Sequence, residues 1–190
     1  EFFWPLVTGA KLVMAKPNGH KDPAYVVGAI KCHKVTVLHF VPSMLEHLLQ
    51  SQNWQSCDSV KHVICSGEAL SLSTMHKFQG TGTRAKLHNL YGPTEASIDV
   101  SYWHCDNETD FSSVPIGYPI DNTELHILNS NLELVPLGVA GELHIGGVGL
   151  AHGYCNQPEL TAARFIKNPI SASSSERLYQ TGDLVRRRKT

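Results

Sequence analysis

The spacing of apolar positions changes along the chain, and the change divides it. Up to about residue 105, helix-like and strand-like stretches alternate. Phe2–Val7 is apolar and ends at Thr8-Gly9, which reads as a helix stop. Lys11–Ala15 reads as a short strand closed by Pro17-Asn18-Gly19. Asp22 followed by Pro23 predicts a helix through about Lys31, with Asp as N-cap and Pro at the first helical position. Val35–Phe40 is rich in β-branched residues and predicts a strand stopped before Pro42. Ser43 is read as the cap of a helix that places Met44, Leu45, Leu48 and Leu49 on one face. Val60–Cys65 and Ala85–Leu90 read as buried strands on either side of a helix at Ser71–Phe78. Strands separated by helices argue for an α/β layer fold with a largely parallel sheet.

From about Val114 the segments are short, alternating and divided by Gly, Pro and Asn. Glu124–Leu128 runs to a turn at Asn129-Ser130-Asn131, and Val139–Ile145 leads into Gly146-Gly147-Val148-Gly149. This pattern predicts antiparallel β structure, expected as a distorted barrel. One helix interrupts it at Gln157–Phe165, opened by Asn156 with Pro158 in its first turn. The serine-rich Ile170–Arg177 reads as an exposed loop before Leu178–Leu184. Two parts are therefore expected: an α/β part at 1–110 and a β-rich part with a short helix at 111–190. The polar run Asp106–Asp110 marks the boundary.

Composition narrows the function. Apolar residues make up 42% of the 190 and charged residues 17%, so the chain has the material for a sizeable core. The net charge of −1 gives no pull towards nucleic acid or an anionic membrane surface, and no apolar run reaches the length of a membrane span. The five cysteines are scattered without a CxxC pair, as expected of reduced thiols in a cytoplasmic protein. The eleven histidines offer no metal spacing; the pairs His33/His39 and His144/His152 lack further soft ligands. The start, Glu1-Phe2-Phe3-Trp4-Pro5, has no signal-peptide features, and the chain reads as a piece of a longer one.

The segment richest in chemistry is Asn89-Leu90-Tyr91-Gly92-Pro93-Thr94-Glu95. It follows a buried strand and enters a turn, the place where open α/β sheets bind ligands. An amide, a flat ring, a hydroxyl and a carboxylate in that order suit a purine, a phosphate and Mg²⁺. The glycines at 146–149 invite a phosphate-loop reading, but no Lys-Ser/Thr follows and no helix opens there, so a turn between strands is expected.

Residues 89–95 resemble the NxYGPTE signature of the adenylation domains of nonribosomal peptide synthetases. Gly141–Tyr154 (GELHIGGVGLAHGY) resembles that family's GELxIxGxGxARGY motif, and Tyr179–Leu184 (YQTGDL) its Y(R/K)TGDL motif. The opening EFFWPLVTGA is similar to the stretch after the FDxSVW element. The motifs come in the family's order and span the chain. His152 stands where the family usually has Arg, and Cys155 where it often has Leu.

The resemblance implies ATP-dependent activation of an amino acid as an aminoacyl adenylate, then transfer to the phosphopantetheine thiol of a partner carrier domain. A condensation domain of the same synthetase is a further implied partner. By analogy Tyr91 would stack on adenine, Asn89 would reach its exocyclic amine, and Gly92 would shape the turn beside the nucleotide. Gly67 and Glu68 would run backbone along the other side of the base. Thr94 would contact phosphate, Glu95 would bind Mg²⁺, and Asp183 would take both ribose hydroxyls. A fragment of an acyl- or aryl-CoA ligase is the alternative within the superfamily, and a non-catalytic interaction module the alternative outside it. The spelling NLYGPTEAS with YQTGDL favours amino acid activation. The family's phosphate loop, its C-terminal lysine and the acidic partner of the substrate amine have no counterpart in these 190 residues. The isolated piece is therefore expected to be inactive, and poorly soluble around Phe2, Phe3 and Trp4.

The same carry-over names a substrate lining: His39, Ile64, Ser66, Leu90, Ile98 and Asp99. Three of these six are polar. A large apolar substrate would leave them unpaired at roughly 1–3 kcal/mol each. A hydroxyl group, both donor and acceptor, would satisfy them, and the set resembles the family's serine-type lining. L-Serine is the expected substrate; His39 and Asp99 pairing only with each other is the structural alternative.

Overall fold

The structure, a computed structural model, describes residues 3–51, 53–105, 112–170 and 176–188. Phe2, the boundary run Asp106–Asp110 and residues 171–175 of the serine-rich loop lie outside the described residues. The chain forms two compact units. One contains Glu1–Asn89 and His104–Pro115, the other Leu90–Trp103 and Ile116–Thr190.

The first unit is the α/β part. Its elements are α1 (Phe3–Val7), α2 (Pro23–His33), β1 (Val37–Phe40), α3 (Pro42–Leu49), β2 (His62–Cys65) and α4 (Leu72–Gly80). Strands β3 (Lys86–Tyr91) and β4 (Ser101–His104) are divided between the units. β1, β2 and β3 are parallel, in the register His39↔Ile64 and Cys65↔Asn89. They begin a mixed five-stranded sheet, completed by β4 and β5 (Tyr118–Pro119), which pair antiparallel. Val27, Ile30, Leu45, Leu48, Val63, Met75, Phe78 and Leu87 are buried and make the core of this unit.

Local chemistry explains most boundaries. Asp22 caps α2 by accepting from the amides of Ala24 and Tyr25 at 2.9 and 3.2 Å. Ser71 caps α4 through the amide of Thr74 at 3.0 Å. Two expectations are corrected. Lys11–Ala15 forms no strand: no neighbouring strand pairs with it, and unpaired backbone in an exposed segment is solvated instead. Ser43 is not the cap of α3. The helix starts at Pro42, whose ring presets φ for a first turn, so Ser43 lies inside the helix. Its amide is satisfied by the carboxylate of Glu68, at 3.1 Å.

The second unit holds β6 (Thr123–Leu128), β7 (Ala140–Gly147), α5 (Pro158–Arg164), β8 (Phe165–Lys167) and β9 (Arg177–Arg186). They form an antiparallel sheet of order β6-β7-β9-β8. It is open rather than a barrel: β6 and β8 are its two edges and do not pair with each other. Gly146 and Gly147 belong to the end of β7, and the turn begins after them. A side chain at Gly147, φ +126°, would sit 2.3 Å from the Asn122 carbonyl oxygen, which explains the residue. Asn156 does not cap α5. It takes a left-handed turn (φ 55°), and Gln157 precedes the helix. The core of the unit gathers Ala96, Val100, Leu143, Ile145, Phe165 and Tyr179. Among the described residues no helix is long and apolar enough to cross a membrane.

Candidate functional site

The second unit brings the three sequence motifs into direct hydrogen-bonding contact. Tyr91 ends β3, and its hydroxyl donates to Oδ2 of Asp183 at 2.5 Å. Burial, with the carboxylate beside it, pushes the Tyr91 phenol well above its ordinary pKa, so it remains a donor. Asp183 reaches this position through an irregularity in β9. Four steps from Gln180 to Leu184 face only two from His144 to Glu142, so Thr181-Gly182-Asp183 bulges from the strand. The bulge is pinned on both sides. Thr181 Oγ1 donates to the Leu143 carbonyl at 2.8 Å, and the Glu142 carboxylate accepts from the Gly182 amide at 3.0 Å. Asp183 N donates to Thr181 Oγ1 at 2.9 Å. Gly182 has φ +82°, open to glycine without strain. The Glu of GEL and the Thr of TGD are thus the supports of the Asp.

Glu95 lies in a short 3₁₀ turn, Thr94–Ala96, directly after the signature strand. The turn docks on the segment that follows β7: the Ala151 amide donates to the Glu95 carbonyl at 2.8 Å, and Ser97 Oγ donates to the Gly149 carbonyl at 2.7 Å. The side chain of Glu95 accepts from the Tyr154 hydroxyl at 2.6 Å. The Tyr154 bond, aided by Tyr179 and by the positive charge of Arg164, holds Glu95 below the usual carboxylate range. Thr94 is exposed on the same turn. Among the described residues no three His, Cys, Asp or Glu side chains gather in a metal cage. An anionic carboxylate at a turn matches Mg²⁺, which takes one or two protein carboxylates and leaves its other positions to phosphate and water.

Gly92 is occupied by backbone. A Cβ there would meet the Ile98 carbonyl oxygen at 2.2 Å, the Val100 nitrogen at 2.7 Å and Asp99 Cα at 2.8 Å. The Val100 amide also donates to the Tyr91 carbonyl at 2.8 Å, folding residues 98–100 back over the turn. Ser97 and Ile98 both have positive φ, 63° and 82°, a rare conformation for a β-branched residue, and Ile98 is exposed. Leu90 is half-buried at the end of β3.

In the first unit, His39 and Ser66 are joined: His39 Nε2 lies 2.7 Å from Ser66 Oγ. Ile64 is His39's partner in the sheet and is half-buried. Cys65, facing the other side, is fully buried, and its thiol is pushed up to about 12 by desolvation. Gly67 has φ +84°, and Glu68 is tied to the start of α3. Asn89 is buried, and its Nδ2 donates to the Pro115 carbonyl at 2.8 Å. Sequence reasoning missed Glu142, Tyr154, Thr181 and Tyr179. All four lie inside motifs it had quoted, but no periodicity pairs residues so far apart in the chain.

Comparison with known proteins gives the family. A model of the AMP-binding enzyme family matches residues 1–155. The chain is 47% identical over 186 residues to tyrocidine synthase 3 of Brevibacillus parabrevis, covering 98% of this chain and 3% of that protein. It is 48% identical over 194 residues to enterobactin synthase component F of Escherichia coli (strain K12), covering 98% of this chain and 15% of that protein. The nonribosomal peptide synthetase FmoA3 in its alpha-methyl-L-serine-AMP bound form superposes with a TM-score of 0.87 at 29% identity, covering 97% of this chain and 21% of that one. The chain thus spans a small part of the length of these relatives. It belongs to the AMP-binding enzyme family, as a segment of an adenylation domain of the nonribosomal-peptide-synthetase type.

Proposed function

We propose that this chain is part of an ATP-dependent ligase that activates L-serine and passes it to a carrier domain. The observation that carries the adenylation reading is the joining of the three motifs at Tyr91–Asp183 and Glu95–Tyr154. Tyr91 offers its ring to adenine, and Asp183 exchanges the phenol for the ribose hydroxyls, which its two oxygens can accept together. Asn89 receives the adenine amine through Oδ1, Gly67 and Glu68 run backbone along the other side of the base, and Gly92 shapes the turn beside the nucleotide. Thr94 donates to phosphate, and Glu95 holds Mg²⁺. When bound, that ion neutralises charge on the reacting phosphates. The substrate carboxylate then forms a bond to the α-phosphorus, the bond to the bridging oxygen breaks, and pyrophosphate leaves. In the second step the phosphopantetheine thiol of the carrier domain attacks the acyl carbon, and AMP departs. The carrier and a condensation domain are parts of the same cytoplasmic synthetase.

Serine is favoured by the polar lining. His39 and Ser66 form a joined donor–acceptor pair into which a substrate hydroxyl can enter; the resemblance adds Asp99 as an acceptor and Ile64, Leu90 and Ile98 as the apolar members of the lining. FmoA3, whose bound form carries alpha-methyl-L-serine-AMP, is a related protein that accepts a hydroxymethyl side chain. Sites built to bond a hydroxyl discriminate against its absence by roughly 10⁴–10⁵, so alanine is rejected strongly. Threonine, one methyl larger, is excluded by only about 1–3 kcal/mol. The test is amino-acid-dependent pyrophosphate exchange by the intact parent domain. Serine is expected to give the highest kcat/KM, and His39→Ala and Asp99→Ala to erase its advantage over alanine. Preference for an apolar amino acid, or serine selectivity unchanged in both variants, refutes the assignment.

A further inference from the structure

Tyr154 and Tyr179 come from different motifs, separated by α5 and β8. The Tyr154 hydroxyl donates to the carboxylate of Glu95 at 2.6 Å, and it does not arrive there by chance. The Tyr154 amide donates to Thr161 Oγ1 at 2.9 Å, which ties its backbone to α5. Gly153 before it has no room for a side chain: a Cβ would meet Thr161 Cγ2 at 2.3 Å. Arg177 donates to the carbonyls of Ala151 and His152 at 3.0 and 3.2 Å, fixing the approach from the other side. The rings then follow one another in a file of edge-on and tilted contacts. Tyr154 meets Phe165 edge-on at 5.7 Å, and Phe165 meets Tyr179 at 5.1 Å. Tyr179 belongs to the core cluster and is 6% exposed.

A glutamate side chain has three rotatable bonds and gains little from binding a cation if it must first be ordered. Here the ordering is supplied by the Tyr154 phenol, whose ring ends an aromatic file running through Phe165 to Tyr179. A carboxylate has about four lone-pair directions, so one donor leaves others free for a cation. We propose that Tyr154 is a positioning residue that presets the Glu95 carboxylate for Mg²⁺ in the nucleotide complex, with Tyr179 backing its ring through Phe165. This rests on the reading of Glu95 as the metal-holding residue. Hydrogen-bond partners behind a metal ligand are commonly worth 10–100-fold in metal affinity.

The test uses the intact synthetase that contains this chain, with Tyr154→Phe, Tyr179→Phe and the double substitution. Each keeps the ring in its file and removes only the hydroxyl. Mn²⁺ binding to the enzyme–ATP complex, read by electron paramagnetic resonance, reports the site without turnover. The expected result is a Mn²⁺ Kd weakened about 10–100-fold in Tyr154→Phe and in the double variant, with little loss in Tyr179→Phe, whose ring stays in place. The Mg²⁺ concentration for half-maximal pyrophosphate exchange is expected to rise in parallel, while KM for ATP at saturating Mg²⁺ is unchanged. Unchanged Mn²⁺ affinity in the double variant with exchange intact overturns the proposal alone, even if the melting temperature falls, since that marks a purely structural role. A wild-type enzyme without divalent-dependent exchange overturns the reading of Glu95 and the proposal with it.

Discussion

A methyl group at position 92 has nowhere to go. The atoms that would meet it are main-chain atoms of Ile98, Asp99 and Val100, which cannot rotate away as a side-chain tip would. Gly92→Ala must therefore push back the segment that carries Ile98 and Asp99. We expect it to cost about 1–3 kcal/mol of stability, as overpacking does. It should also degrade amino acid selectivity, because Ile98 and Asp99 move with that segment. Melting temperature and exchange selectivity of the intact domain check this; a fully native Gly92→Ala variant with wild-type selectivity counts against it. The motif made Gly92 a candidate site residue, but not for the reason the structure gives. Its need comes from a chain reversal whose closing contacts lie six to eight residues later, with two left-handed residues between them. The His39–Ser66 bond was likewise invisible: each residue was singled out, yet only the register of β1 against β2 brings the two side chains together.

Elements whose ends are closed by neighbours in sequence were legible in advance. α2 is the clearest, with Asp22 and Pro23 acting within the first turn. Asp22→Ala removes an acceptor from two amides and is expected to destabilise the first unit by about 0.5–2 kcal/mol, with Asp22→Asn largely sparing it. Chemical denaturation of both variants measures this, and equal stability of Asp22→Ala and wild type refutes it. Elements closed by distant partners were not legible. α3 depends on Glu68, a residue from after β2, and was therefore assigned to the wrong cap. Lys11–Ala15 has strand-like composition but no strand beside it. The bulge in β9 reads in sequence as a plain strand ending, because its supports, Leu143 and Glu142, lie on β7.

Taken together, the 190 residues carry the groups we propose for the base, the ribose and the metal, and nothing resembling the family's phosphate loop or its lysine. Phosphoryl chemistry rests largely on such positioning and charge stabilisation. The chain expressed alone is expected to bind adenine nucleotide weakly and to show no pyrophosphate exchange; robust exchange by it would contradict the assigned roles. Its surface points the same way. Phe3 and Val7 are each 81% exposed, and Trp4 and Leu6 lie open beside them, so the short helix α1 presents an apolar patch. Light scattering of the isolated chain should show association that Phe3→Glu with Val7→Lys reduces. The family and its α/β and antiparallel layers were legible because three ordered motifs and a change of period both survive in linear sequence. The division of the chain was less so, because it passes into the second unit at Leu90, returns at His104 and leaves again after Pro115.

The bulge at Thr181–Asp183 has one more consequence, and it is a matter of parity. A strand turns every successive side chain to the opposite face, so one extra residue would invert everything beyond it. β9 carries two extra residues, an even number, between its pairings at Gln180 and Leu184. Tyr179 before the bulge and Val185 after it therefore both face the same core. The detour that projects Asp183 is silent to the sheet that carries it. A pair of added residues would leave the facing of the strand beyond it unchanged, whereas a single insertion would turn Val185 out to solvent and Leu184 inward.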